Sequence, residues 1–129
     1  MKGRTINPGK ASGKALVSTE PIGFYGGVDL NTGIVIEKDH PLEGQNVKDT
    51  ILVFPCGKGS TVGSYIIYGL KKNNVAPAGI INKETETIVA TGVILADIPT
   101  IDHIDIDTIK TGDIITMDAE KATVELTKN

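Results

Sequence analysis

Tryptophan is absent from this 129-residue chain, and only three tyrosines and two phenylalanines stand in for it. So few flat side chains leave little on which to stack nucleobases. Positive charge is not in excess either: 13 Lys and Arg face 16 Asp and Glu, for a net charge of -3. That removes the electrostatic footprint expected of a protein that binds nucleic acid or an anionic membrane surface. No apolar run is long enough to cross a bilayer, and none follows the basic start Met1-Lys2-Gly3-Arg4. Neither a signal peptide nor a membrane span is therefore expected. Cysteine occurs once, as Cys56. A single cysteine excludes an internal disulfide and fits a reducing cytoplasm. It also excludes an iron–sulfur cluster held by this chain alone, which takes three or four thiolates.

What the chain does have is glycine, 15 residues of it. Gly23, Gly26, Gly27 and Gly33 mark one segment, and Gly57, Gly59, Gly63 and Gly69 another. Such clusters mark either tight turns or places where backbone comes close to a ligand or a second chain. The length suits one domain over residues 1–129. Short β-branched runs bounded by Gly, Pro, Asn or Asp read as strands at 15–17, 33–36, 50–54, 78–81 and 88–89. Residues 113–118 and 122–126 read as a closing hairpin. One helix is expected after Ser60 or Thr61, either of which suits the N-cap. Val62, Ile66 and Leu70 form its apolar stripe, widened by Tyr65. Lys71 and Lys72 suit its last turn and Asn73-Asn74 its end. A second helix is weaker, near 90–96, where a strand would serve as well. The fold expected is α/β: many short strands in a closed or layered arrangement with one or two helices.

The strand at 50–54 runs into Pro55-Cys56-Gly57-Lys58-Gly59-Ser60-Thr61 and then into the helix. A glycine-rich turn at a helix start aims backbone N–H groups and the positive end of the helix dipole at one spot. Lys58 adds a full charge. The turn therefore suits an anion or a developing oxyanion, and Gly57, Lys58, Gly59 and Thr61 are its candidate anion-binding residues. A plain capped connection would look the same. It is not a nucleotide P-loop, because Gly59 follows Lys58 and Leu52 stands where the first glycine belongs. Asp29 and His40 are possible acid–base groups, although capping a turn and packing on a neighbour explain them as well. Cys56 is either acidified near a helix start or a small buried residue. Asp102, His103, Asp105 and Asp107 lie close in sequence, yet no metal-ligand spacing links them, and the isoleucines between them indicate a half-buried segment with a wet face. No catalytic triad spacing is present.

The pieces GGVD, TGIVIEKDHPLEG, FPCGKGSTVGSY, NVAPAGIIN and ATGVILADIPTI, in that order, resemble the small subunit of the aconitase X family, from about Gly13 to Leu126. The resemblance implies the aconitase swivel domain, a β/β/α barrel-like unit. It implies a large subunit that carries the iron–sulfur cluster and its cysteines, while this chain binds no metal itself. In archaea, such small subunits belong to a hydro-lyase that removes water from (R)-5-phosphomevalonate to give trans-anhydromevalonate 5-phosphate, within a modified mevalonate route to isoprenoids. Bacterial relatives act on hydroxyproline isomers, often as one fused chain. The catalytic serine of aconitases follows a Gly-x-Gly turn, and the matching residue in Gly57-Lys58-Gly59-Ser60 is Ser60. Aconitases continue with an arginine that helps hold a substrate carboxylate; here Thr61-Val62 follow, so that contact does not carry over. A non-catalytic carrier or anion-binding module is the reading from another class. The phosphohistidine carriers of similar shape need a histidine in the turn, and this turn has none.

Overall fold

The computed structural model describes residues 1–127. Seven strands form one mixed sheet curled into a half-barrel: β1 (Arg4–Asn7), β2 (Lys10–Val17), β3 (Ile51–Phe54), β4 (Gly79–Asn82), β5 (Thr100–Asp102), β6 (Ile114–Asp118) and β7 (Thr123–Thr127). Their spatial order is β1-β5-β4-β3-β2-β6-β7. Strands β2 to β5 run parallel, and β1, β6 and β7 are antiparallel to their neighbours. The eight residues of β2 serve two partners. Lys10 to Lys14 pair with β6, and Ala15 to Val17 with β3. Before β1, a bridge from Lys2 to Thr123 ties the start of the chain to β7, and Gly3 N–H donates to the Ala122 carbonyl at 2.8 Å.

Parallel neighbours require crossovers, and two helices supply them: α1 (Gly63–Lys72) between β3 and β4, and α2 (Thr87–Ala96) between β4 and β5. Alternation along the strands decides which side each helix covers. Leu52, Phe54 and Ile80 point to the helical side and pack with Ile67, Leu70, Val89 and Val93. Ile51, Val53 and Ile81 point to the other side and pack with Ile101, Ile109, Ile115 and Met117. Both crossovers carry the chain back along the sheet, so the two helices start at the carboxyl edge of the parallel strands. Their pairing confirms this: Ser64 Oγ at the start of α1 donates to the Ile88 carbonyl at the start of α2, at 2.7 Å.

Several expectations are corrected. Residues 33–36 do not form a strand. Only single bridges, Val28 to Val35 and Ile34 to Asn46, occur there. The segment is an irregular loop whose Val28, Val35, Leu42 and Val47 are buried under the helices. Its backbone bonds go to its own turns, as where Asp29 N–H donates to the Ile34 carbonyl at 2.9 Å. Ile88 and Val89 are not a strand but the first turn of α2. The buried residues of α1 are Gly63, Ser64, Ile67 and Leu70. Val62 and Tyr65, expected on the apolar stripe, are exposed, because the face turned inward is the one that meets α2. Neither Ser60 nor Thr61 caps α1: the cap position is Val62, with no side-chain cap bond.

One polar network fastens the N-terminal strand. Asp102, fully buried at the end of β5, accepts from Arg4 Nε at 2.9 Å and from Arg4 Nη2 at 2.7 Å, and also from Thr85 N–H at 2.8 Å. Burial pushes its carboxyl up. The Arg4 hydrogen bonds, the Thr85 N–H and the charges of Arg4 and His103 outweigh burial and hold it below the ordinary carboxylate value. A group whose pKa is depressed on folding adds stability above its unfolded value, near pH 4, and loses it as pH falls through the folded value. In Asp102→Asn the amide NH2 must face Arg4 in either orientation, and the Thr85 N–H as well in one of them, donor against donor. We expect that variant to lose about 2 kcal/mol at pH 7, the scale of hydrogen bonds to a charged group. Urea unfolding at pH 7 and pH 3 checks both points, since the difference between wild type and variant should shrink at pH 3.

Candidate active site

The turn after β3 sits at the carboxyl edge of the parallel strands, where open sheets of this kind take their ligands. It is braced by the other glycine segment, around Gly23, which the fold brings alongside it. Ile22 N–H donates to the Cys56 carbonyl and Lys58 N–H donates to the Ile22 carbonyl, both at 3.1 Å. A β-carbon at Gly23 would lie 3.5 Å from Lys58 Cγ, and one at Gly63 would lie 3.6 Å from Phe24 Cβ. Phe24 itself is buried edge-on against Phe54, with ring centroids 5.9 Å apart, which anchors the bracing loop to the end of β3. On the other side Gly57 is pressed against Glu86. Gly59 has φ +86°, the left-handed region that only glycine enters freely, and it faces open space.

From Gly59 the chain rises to the exposed Ser60. Its Oγ accepts a hydrogen bond from Val62 N–H at 3.1 Å, and its carbonyl accepts from Gly63 N–H at 2.9 Å. The hydroxyl hydrogen remains available. Among the described residues, the N–H groups of Gly59, Ser60 and Thr61 meet no protein acceptor. Three free donors thus lie in the same short stretch as the exposed hydroxyl, just ahead of the positive end of α1. Lys58 behaves differently from a free anion ligand: its Nζ is paired with Glu37 Oε2 at 3.1 Å. Thr61 is exposed beside a cleft of about 300 Å³ between the starts of the two helices, lined also by Ser64, Tyr65, Thr87 and Leu95.

The other candidates have structural explanations. His40 is buried, with Nδ1 accepting from Leu42 N–H and Nε2 lying 3.0 Å from the Pro21 carbonyl. That pair of partners fits the tautomer with its proton on Nε2. Asp29 caps a turn through Asn31 N–H at 2.8 Å. Cys56 is half-buried, and burial together with the Glu86 charge pushes its thiol above the ordinary value, which disfavours the thiolate. Asp102 and His103 do come together with Glu84, a residue not singled out in the sequence. Both oxygens of Asp102 are already engaged by Arg4 and Thr85, and Glu84 Oε2 lies 3.2 Å from Arg4 Nη2 and 3.1 Å from His103 Nε2. The group is an ion-pair network centred on Arg4. The residue the sequence reading missed is Glu86. Glutamate is an uncommon N-cap, so nothing in Thr85-Glu86-Thr87 announced a helix start beside the turn.

A family model described as the aconitase X swivel domain matches residues 1–126. The chain belongs to the aconitase X swivel domain family. Its relatives include proteins named phosphomevalonate dehydratase small subunit. One from Thermococcus sibiricus is 58% identical over 126 residues, covering 98% of this chain and 97% of the relative. One from Methanocella arvoryzae is 54% identical, with 98% of each chain covered. The crystal structure of Thermococcus kodakaraensis aconitase X in its holo form superposes with a TM-score of 0.97 at 54% identity, over 98% of this chain and 97% of that one. The expected swivel-domain fold is therefore correct, and the glycine-rich turn stands at the edge of an aconitase X swivel domain.

The turn's two outer glycines should respond differently to substitution. A β-carbon at Gly57 would collide with Glu86 Oε1 and lie 2.7 Å from Val89 Cγ2, whereas one at Gly59 would meet nothing. Gly59→Ala should cost about 1 kcal/mol through its positive φ alone, and Gly57→Ala about 1–3 kcal/mol through overpacking. Urea denaturation of the two variants measures the difference; equal costs would show that the contact beneath Gly57 is slack.

Proposed function

We propose that this chain is the small subunit of a two-subunit hydro-lyase that dehydrates (R)-5-phosphomevalonate to trans-anhydromevalonate 5-phosphate, and that Ser60 is its base. The observation that carries the proposal is Ser60 Oγ, exposed at the head of the glycine turn with Val62 N–H on it, in a stretch whose Gly59, Ser60 and Thr61 amides are unpaired among the described residues. A neutral hydroxyl is a poor base. Amide donors and the end of the helix dipole favour the alkoxide form, and a substrate that excludes water from the turn strengthens them. Ser60 Oγ takes the proton from the carbon next to the substrate carboxylate. That C–H electron pair becomes the new double bond as the adjacent C–OH bond breaks, and proton and hydroxide together are the water lost.

With one cysteine, this chain does not supply the ligands of an iron–sulfur cluster, so a cluster and its Lewis-acid help to the leaving hydroxyl belong to the large subunit. The substrate's anionic groups fall to the free amides of Gly59 and Thr61, to Gly57-Lys58 and to the partner, since no arginine follows Ser60. Lys58 joins them by exchanging Glu37 for the substrate. The names of relatives at 50–58% identity support the substrate. They also support a large partner, as does the collar of exposed apolar side chains near the turn: Tyr25, Val62 and Tyr65, with Leu95 across the cleft. We take this collar as the face that docks on the large subunit. No helix among the described residues is long and apolar enough to cross a membrane, and we place the complex in the cytoplasm.

In the complex reconstituted without oxygen, Ser60→Ala should lower turnover of phosphomevalonate by at least about 100-fold, the low end for a positioned acid–base group. The fold and the complex should persist. Thr61→Ala should lose far less; if it abolishes turnover while Ser60→Ala does not, the base is the neighbouring hydroxyl. Turnover of a hydroxyproline isomer in place of phosphomevalonate would refute the substrate assignment. Tyr65→Glu combined with Leu95→Glu should weaken assembly by at least about tenfold, since each charge would be desolvated in an apolar contact. Sedimentation with the large subunit measures it, and unchanged assembly would move the docking face elsewhere.

A further inference from the structure

One carboxylate directly beneath the turn has no part in the chemistry above. Glu86 stands in extended backbone just before α2. Its Oε2 accepts from Ile88 N–H at 2.8 Å and its Oε1 from Val89 N–H at 2.9 Å. Two acceptors held by two successive amides leave the carboxylate one orientation. In that orientation Oε1 lies against Gly57, so close that any β-carbon there would strike it. Gly57 is buried, and the residues on either side of it hold the two bonds to Ile22. The turn is thus clamped from one side by Ile22 and supported from below by Glu86. The raised thiol of the adjacent Cys56, due first to burial and then to the Glu86 charge, reports the same proximity.

A helix cap alone does not call for glutamate. Asp, Asn, Ser and Thr reach the N2 and N3 amides with shorter side chains and are the favoured caps. The extra methylene of Glu86 carries the carboxylate outward from the end of α2 to the floor of the turn. We propose that Glu86 is a positioning residue: it locks Gly57 onto the start of α2 and thereby fixes where Ser60, three residues later, presents its hydroxyl. This rests on the reading of Ser60 as the base. The positive end of α2 is capped by Glu86 in the same stroke, which leaves the free amides of the turn ahead of α1 as the ones open to the substrate.

The test separates capping from positioning. Glu86→Asp retains a good cap but cannot fill the space below Gly57. In the two-subunit complex it should unfold at nearly the wild-type denaturant midpoint. Its kcat for phosphomevalonate should fall by about 10- to 100-fold, the scale of a sub-ångström to 1 Å misplacement of a reacting group, with KM within about twofold, as expected for an interaction used in the transition state. Glu86→Gln in the full small chain gives a readout without turnover. Removing the charge should shift the pH profile of Cys56 modification by an aromatic disulfide reagent to lower pH. Normal kcat in a folded Glu86→Asp complex overturns the proposal, and so does a Cys56 profile that stays put in Glu86→Gln. Ser60→Ala run in parallel keeps the two readings apart: if it retains turnover the base is misassigned, whereas its inactivity beside an unaffected Glu86→Asp refutes only the role given to Glu86.

Discussion

Gly92 lets the backbone of α2 approach α1 so closely that a β-carbon there would sit 2.7 Å from Ile67 Cδ1 and 3.2 Å from the Ser64 carbonyl. Gly63 plays the reciprocal part near Ile88, where the added carbon would lie 3.1 Å from Cγ2. With the helices in this contact, the Ser64 hydroxyl reaches across to the Ile88 carbonyl and the two first turns come level. Everything at the carboxyl edge follows from that alignment. Glu86 can cap one helix while touching the turn that opens the other. The cleft between the helix starts has its width set by the same contact. Larger residues at either glycine would spread the helices and detach the turn from its floor.

The division of electrostatic labour between the two helix starts is the second consequence. One is closed by a carboxylate that uses two of its amides. The other receives no side-chain cap, and the amides just ahead of it are left for something outside the chain. Leaving buried donors unpaired is costly, but these are at the surface, where water can satisfy them. The Lys58–Glu37 pair has a similar character. It is half-exposed and weak by the usual standard of surface pairs, so it can exchange without a large penalty.

Much of this was legible in the sequence, and the remainder shows what sequence patterns do not carry. Ile51 to Phe54 read as a buried strand because four apolar residues run unbroken into a proline, and the C-terminal hairpin alternates cleanly. The turn was visible from Gly57, Lys58, Gly59 and Ser60. What the pattern could not give was the orientation of α1, since Tyr65 and Ile67 are equally apolar and only the position of α2 decides which is buried. The run from Ile34 to Ile36 looked like a strand, yet its neighbours adopt left-handed turns at Gly33 and Asp39, and Val35 alone of the three is buried. β1 and β5 are four and three residues long. Their pairing depends on Asp102 meeting an arginine 98 positions away, a contact no local window contains. Glu86 was hidden for the same reason: its partners are local, but its contact with Gly57 belongs to the tertiary fold.

The seam between the beginning of the chain and β7 has a consequence for how copies of the protein meet. The Met1 ammonium donates to the Val124 carbonyl at 2.7 Å, Val124 N–H donates back to the Met1 carbonyl at 2.8 Å, and the Lys2–Thr123 bridge continues the ladder. Open sheet edges recruit strands from other molecules, and curled sheets that seal their edges do not. Where Met1 to Gly3 cover Ala122 to Val124, that stretch of the edge has no free backbone for the strand of a second copy to extend.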